Sequence, residues 1–155
     1  MSVSLDWDAV TAQAAAILTC PHCSGQAQDG MPQPPWVGAH YEPGGIVLLA
    51  QNPSSIRDLS EQELQLLQWL ATEPSVNLLQ EWSQHRIGHM LTRPWRQWKE
   101  GFQRAVGRCL SPERTAWLNV VPYTTPGNRA PSQRDRERCR LDHLAPCSSC
   151  SSLAE

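Results

Sequence analysis

The stretch Gly44-Gly45-Ile46-Val47-Leu48-Leu49-Ala50-Gln51-Asn52-Pro53-Ser54 decides how this chain is read. Its middle is an unbroken aliphatic run, opened by a glycine turn and closed by a polar Asn-Pro pair. A short apolar run between breakers predicts a strand buried on both faces, hence a member of a parallel sheet. The run stops abruptly, which sets Gln51 and Asn52 at the strand's carboxyl end, where open α/β sheets hold their ligands. The plainer reading is a core strand followed by an ordinary Asn-Pro turn.

Outward from this strand the chain alternates helices with breakers. Downstream, Ser60 and Glu63 make a capping box for a helix to about Thr72, with Leu64, Leu67, Leu70 and Ala71 on one face. After Pro74 and Ser75 a second helix carries Val76, Leu79, Trp82, Ile87 and Met90 near helical spacing. Thr92 with Pro94 signals a third, striped by Trp95, Trp98, Phe102, Ala105, Val106 and Cys109. Cys109 reads as a small buried hydrophobe, and the tryptophans read as core. Ala116-Trp117-Leu118-Asn119-Val120-Val121 predicts a second buried strand, followed by an extended loop over 122–131 with a Gly127-Asn128 turn. Ser132 and Asp135 cap a last helix that should reach about Leu144. The helices between the two strands supply the crossover that a parallel pair needs, yet two strands alone make a poor sheet.

Upstream, the alanine-rich segment Ala9 to Leu18 predicts a short helix capped by Asp8. It runs into Cys20-Pro21-His22-Cys23, whose spacing lets two thiolates reach one metal ion; a lone pair of this kind is a weak signature. Residues 24–45, rich in Gly, Pro and Gln, read as a loop with Trp36 and Val37 tucked against the core. The tail, 145–155, is polar and of low complexity; its Cys147 and Cys150 repeat the two-residue spacing, and it reads as disordered or aberrant.

At 155 residues the chain is one domain by length. Asp6 and Asp8 stand where a signal peptide would need positive charge, and no apolar run approaches membrane-spanning length. The expectation is a soluble, cytoplasmic protein with no membrane partner, so its six cysteines point to metal or buried thiols before disulfides. Residues 1–85 carry one basic side chain, Arg57, against nine acidic ones, a net of −8; residues 86–155 carry twelve against six, a net of +6. Arg93, Arg96, Lys99, Arg104 and Arg108 fall between the stripe residues of the third helix and could meet phosphates or merely face solvent.

Two blocks together resemble the uracil-DNA glycosylase superfamily. Ile46 to Ser54 looks like its first motif, a hydrophobic strand ending in Gly-x-Asn/Asp/Ala-Pro. Leu118-Asn119-Val120-Val121 with Pro126-Gly127-Asn128-Arg129-Ala130-Pro131 and Cys139 is similar to the second block, most closely in the iron–sulfur branch. The resemblance covers roughly residues 18–144 and implies an incomplete version of the family's three-layer α/β/α fold, with a short parallel sheet. It implies that Asn52 orients the water attacking the sugar C1′, since an amide takes up no proton at neutral pH. It implies that Asn119 reads the uracil edge, with Gln51 and Pro53 beside it in the substrate pocket. Asn128 and Arg129 would contact DNA, and the base would be flipped out of the stack. It further implies a [4Fe–4S] cluster held by four cysteines, of which Cys20, Cys23 and Cys139 match three.

The departures are specific. Tyr123 stands where the fourth cysteine should be, and a phenol is a poor ligand for a cluster held by thiolates. Cys109 or the tail substitutes, a different metal binds, or the cysteines are remnants. Ala50 replaces the family's usual glycine, and the third motif, with its leaving-group histidine, is absent; His89 and His143 lie in other contexts. The chain therefore reads as a glycosylase-like domain over 1–144, truncated before its last strands, acting on DNA that contains uracil or a related damaged base. Two rivals remain: an inactive nucleic-acid-binding homologue, and a small cysteine-ligated metal domain.

Overall fold

The computed structural model describes residues 4–27, 31–53, 58–90, 93–107 and 110–144. Helix α1 spans Trp7–Leu18 and is capped by Asp6, whose carboxylate accepts the Ala9 N–H at 2.9 Å. The cap falls two residues before the expected Asp8, because Trp7 and Val10 also pack on the core and draw the helix back. A second helix, α2, occupies Pro21–Gln26 and takes in the start of the loop expected over 24–45. The signal was Pro21 itself, whose fixed φ suits the first helical position.

The sheet has three strands: β1 (Trp36–Val37), β2 (Ile46–Ala50) and β3 (Thr115–Asn119), in the order β1-β3-β2. The two expected strands are neighbours and parallel, with Ile46 opposite Thr115 and Ala50 opposite Asn119. The sheet is nevertheless mixed, because Trp36 and Val37 pair antiparallel with Trp117 and Ala116. That short strand supplies the third member that two strands lacked. The rings of Trp36 and Trp117 stack across the pair with centroids 5.8 Å apart.

One expectation about β2 is corrected. It is an edge strand buried on one face only: Leu48 is buried, but Val47 is 44% and Leu49 61% exposed. An aliphatic run reports that each side chain is apolar, and says nothing of whether a layer covers both faces.

Helices α3 (Glu61–Thr72) and α4 (Val76–Met90) follow. The capping box at α3 forms as expected: the Ser60 hydroxyl accepts the Glu63 N–H at 3.2 Å, and the Glu63 carboxylate accepts the Ser60 N–H at 2.8 Å. Leu67 and Leu70 of α3 join Leu79, Trp82 and Ile87 of α4 and Ala14 and Leu18 of α1 in the main core. Ser83 Oγ accepts the Val37 N–H at 3.0 Å, which ties α4 to the sheet. Helix α5 (Arg93–Val106) leads towards β3; the Trp95 and Trp98 side chains lie outside the described residues. Helix α6 (Gln133–Cys139) is capped by Ser132 and passes into a π-helical turn over Arg140–Leu144, which matches the expected end. Among the described residues no helix is long and apolar enough to cross a membrane.

Candidate functional site

The carboxyl ends of β2 and β3 are held together beyond the regular strands. Val120 N–H donates to the Ala50 carbonyl at 2.8 Å, and Val121 N–H to the Gln51 carbonyl at 3.2 Å. Gln51 therefore spends its carbonyl in the ladder, while its side chain is exposed. Asn52 is half-buried and its amide donates to Thr125 Oγ1 at 3.3 Å. The Thr125 hydroxyl in turn donates to the Arg129 carbonyl. This chain of bonds joins the end of β2 to the loop over 122–131, where Gly127 takes φ +63 and turns the backbone. Asn119 is half-buried, and its Oδ1 accepts the Trp117 Nε1–H at 3.4 Å. Pro53 is buried behind Asn52 in sequence. Arg129 is exposed on the loop, and the Asn128 side chain lies outside the described residues.

Beneath this rim lies a compact sulfur cluster. Cys23, Val121, Tyr123 and Cys139 form a buried group with Cys20 packed against it. The strand extension that leaves Asn119 thus runs into the cysteines within two to four residues. Cys20 is the N-cap of α2 and Cys23 lies in its first turn, so the Pro21-initiated turn holds both thiols on one side. Cys23 Sγ stands 3.2 Å from His143 Nε2, across 120 positions of sequence. The donor atoms of Cys20, Cys23 and His143 all lie within 4.8 Å of one another, close enough to hold a metal ion. Cys139 is buried in the same cluster as Cys23, outside that donor group.

The electrostatics of the cluster are mixed. Interaction with Cys139, then burial, pushes the Cys23 thiol far above its ordinary value, against the thiolate that a metal needs, while the same interaction holds Cys139 below its own. Burial lowers His143, so its ring is neutral near pH 7 and keeps a lone pair. Burial, and then the Asp135 carboxylate, raise the Tyr123 phenol, which stays protonated. His22 meets the Tyr123 ring edge-on at 6.2 Å between centroids and lies 3.5 Å from Asp135.

The structure packs Cys20, Cys23 and Cys139 in one cluster and sets His143, which sequence reasoning passed over as a ligand, within donor distance of Cys20 and Cys23. The available signal was Cys139-x3-His143, since side chains four apart on a helix share a face. Cys109, Cys147, Cys150 and Ser54 lie outside the described residues. Of the basic segments, Arg96, Arg104 and Arg129 are exposed. Arg86 is turned inward to Glu63 at 3.3 Å and stacks on Trp82, so it is withdrawn from any phosphate-facing surface. No protein-family model and no curated protein matches the chain.

Proposed function

We propose that the chain is a uracil-DNA glycosylase-like protein, built on an incomplete version of that family's three-layer fold, which hydrolyses the N-glycosidic bond of uracil or a related damaged base in DNA. The observation that supports this reading is the register of β2 and β3. Ala50, the last residue of β2, lies opposite Asn119, and Asn52 follows two residues beyond that strand end. Two amides at adjacent carboxyl ends occupy the place where open parallel sheets hold ligands.

In this reading Asn119 offers a donor and an acceptor to uracil O4 and N3–H, a pattern that mismatches cytosine. Asn52, steadied by Thr125, orients a water towards C1′. The water oxygen bonds to C1′, the C1′–N1 bond breaks with its electron pair going to uracil, and the water's proton passes to solvent. No residue of the two motifs stabilises the departing uracil anion. Loss of one such donor typically costs about 10²–10³ in rate, so turnover should be slow.

The test is release of free uracil from a single-uracil oligonucleotide by the full chain in excess, with Asn52→Ala and Asn119→Ala alongside. Slow release that falls at least about tenfold in both variants is expected. No release, or release unchanged from the parent in both variants, rejects the proposal. Oligonucleotide binding that weakens steeply with salt but yields no uracil would instead favour a binding-only homologue using Arg96, Arg104 and Arg129.

A further inference from the structure

The geometry points to a single tetrahedral metal ion of the zinc class, held by Cys20, Cys23, Cys139 and His143, that clips the amino-terminal helical turn to the last helix. Three donors from two short segments converge there, with the Cys139 thiol packed in the same buried cluster. The first pair sits at the start of α2, where Pro21 enforces the turn. The second pair lies four residues apart where α6 passes into its π turn, and both members are buried. Such π turns recur at functional sites because they re-aim one side chain relative to the helix before it.

The spacing of the donors argues for one ion. With Zn–S near 2.3 Å and Zn–N near 2.0 Å, the S···N edge of a tetrahedron is about 3.6 Å. The observed Cys23 Sγ to His143 Nε2 separation is 3.2 Å, and Cys20 joins both within 4.8 Å. Cys139 packs in the same buried cluster as Cys23 but outside that 4.8 Å donor group, so it has to move inward to complete the shell. A [4Fe–4S] cube takes one ligand per iron at four separate corners, so its ligand atoms stand farther apart than those around a single ion. Its fourth position here is a phenol, Tyr123, buried against Cys23 and Cys139. The donor set therefore does not fit the cluster, whereas three thiolates with one imidazole is a common closed, structural zinc shell.

The ion would sit below Val121 and Tyr123, which carry the chain from Asn119 to Thr125. Its role is to hold that strand end against α2 and α6, and it leaves no open coordination position for chemistry. Metal content is read without any uracil assay, so the site stands or falls separately from the glycosylase reading.

The test is the full chain purified anaerobically and analysed for metal and acid-labile sulfide. One zinc per chain is expected, with iron and sulfide substoichiometric. Cobalt(II) exchanged into the site should show tetrahedral d–d bands with thiolate charge transfer. His143→Gln and Cys139→Ser should each weaken zinc more than about 100-fold, the upper end of what losing even an outer partner costs. His143→Cys should restore full stoichiometry and strengthen the charge-transfer band, which shows that the position is a ligand even if the Gln variant folds poorly. Cys147→Ser/Cys150→Ser should leave affinity unchanged. The inference is overturned by a metal-free protein, a Cys20–Cys23 disulfide, iron with matching sulfide, unchanged affinity in His143→Gln, or loss of metal on removing the tail pair.

Discussion

At Glu63 one carboxylate serves four donors. Oε2 accepts from the Ser60 N–H and hydroxyl at 2.8 and 2.9 Å, and Oε1 meets Arg86 at 3.3 Å and His89 at 3.2 Å. The side chain is only 2% exposed. Burial by itself would raise its pKa, but the Ser60 bonds and the Arg86 and His89 charges outweigh it and lower the group. A lowered carboxylate stabilises the fold above its unfolded value, near 4.5, and loses that contribution as pH falls through the folded value. Glu63→Gln, which can keep the capping box, should therefore be less stable than the parent at pH 7. The gap in denaturant midpoint should narrow below about pH 4.5; a gap independent of pH would refute the charge role. Glu63→Ala should cost about 3–5 kcal/mol, because it leaves Arg86 buried without its partner. Gly38 carries a second residue-scale constraint. Its N–H donates to the Thr115 carbonyl at 2.9 Å, and a Cβ there would collide with the Glu113 carbonyl. Gly38→Ala should lower the unfolding free energy by about 1–3 kcal/mol, read as a lower denaturant midpoint with an unchanged m-value.

Among the elements, β2 shows best how an apolar run can mislead. Val47 and Leu49 are exposed because they share the face of β2 that lies away from buried Leu48, and the strand also stands at the edge of the order β1-β3-β2. An exposed apolar edge favours aggregation, and a lysine on it is the usual counter. Leu49→Lys should leave stability within about 0.5 kcal/mol and raise the protein concentration at which light scattering begins. A large loss of stability would mean that Leu49 is covered in solution. Helix α3, by contrast, begins and ends where the capping box and Pro74 require, since those signals lie within a few residues of one another.

Across the whole molecule, Cys23 and His143 close a contact over 120 positions. A metal bound there joins both ends of the described chain, and ion binding becomes folding free energy. Chelation should therefore lower the thermal midpoint and act locally. Amide exchange should rise in α2, in residues 120–125 and in α6, while the core of α3 and α4 keeps its protection. Uniform loss of protection, or none, would count against a local clip. The charge asymmetry between the halves also changes meaning at this scale, because Arg86 neutralises a buried acid of the first half.

Local order along the chain was sufficient for the existence of α1 and α3 to α6, for the caps of α3 and α6 and for the two principal strands, because each rests on contacts between near neighbours. The CxxC pair, Asn52 and Asn119 were visible for the same reason, as motifs of fixed spacing. Three-dimensional packing alone decided that β2 lies at an edge, that Trp36 and Val37 form a strand, that Arg86 points inward and that His143 meets the cysteines. Each of these depends on which distant segment arrives beside it, and residue type and spacing carry no record of that.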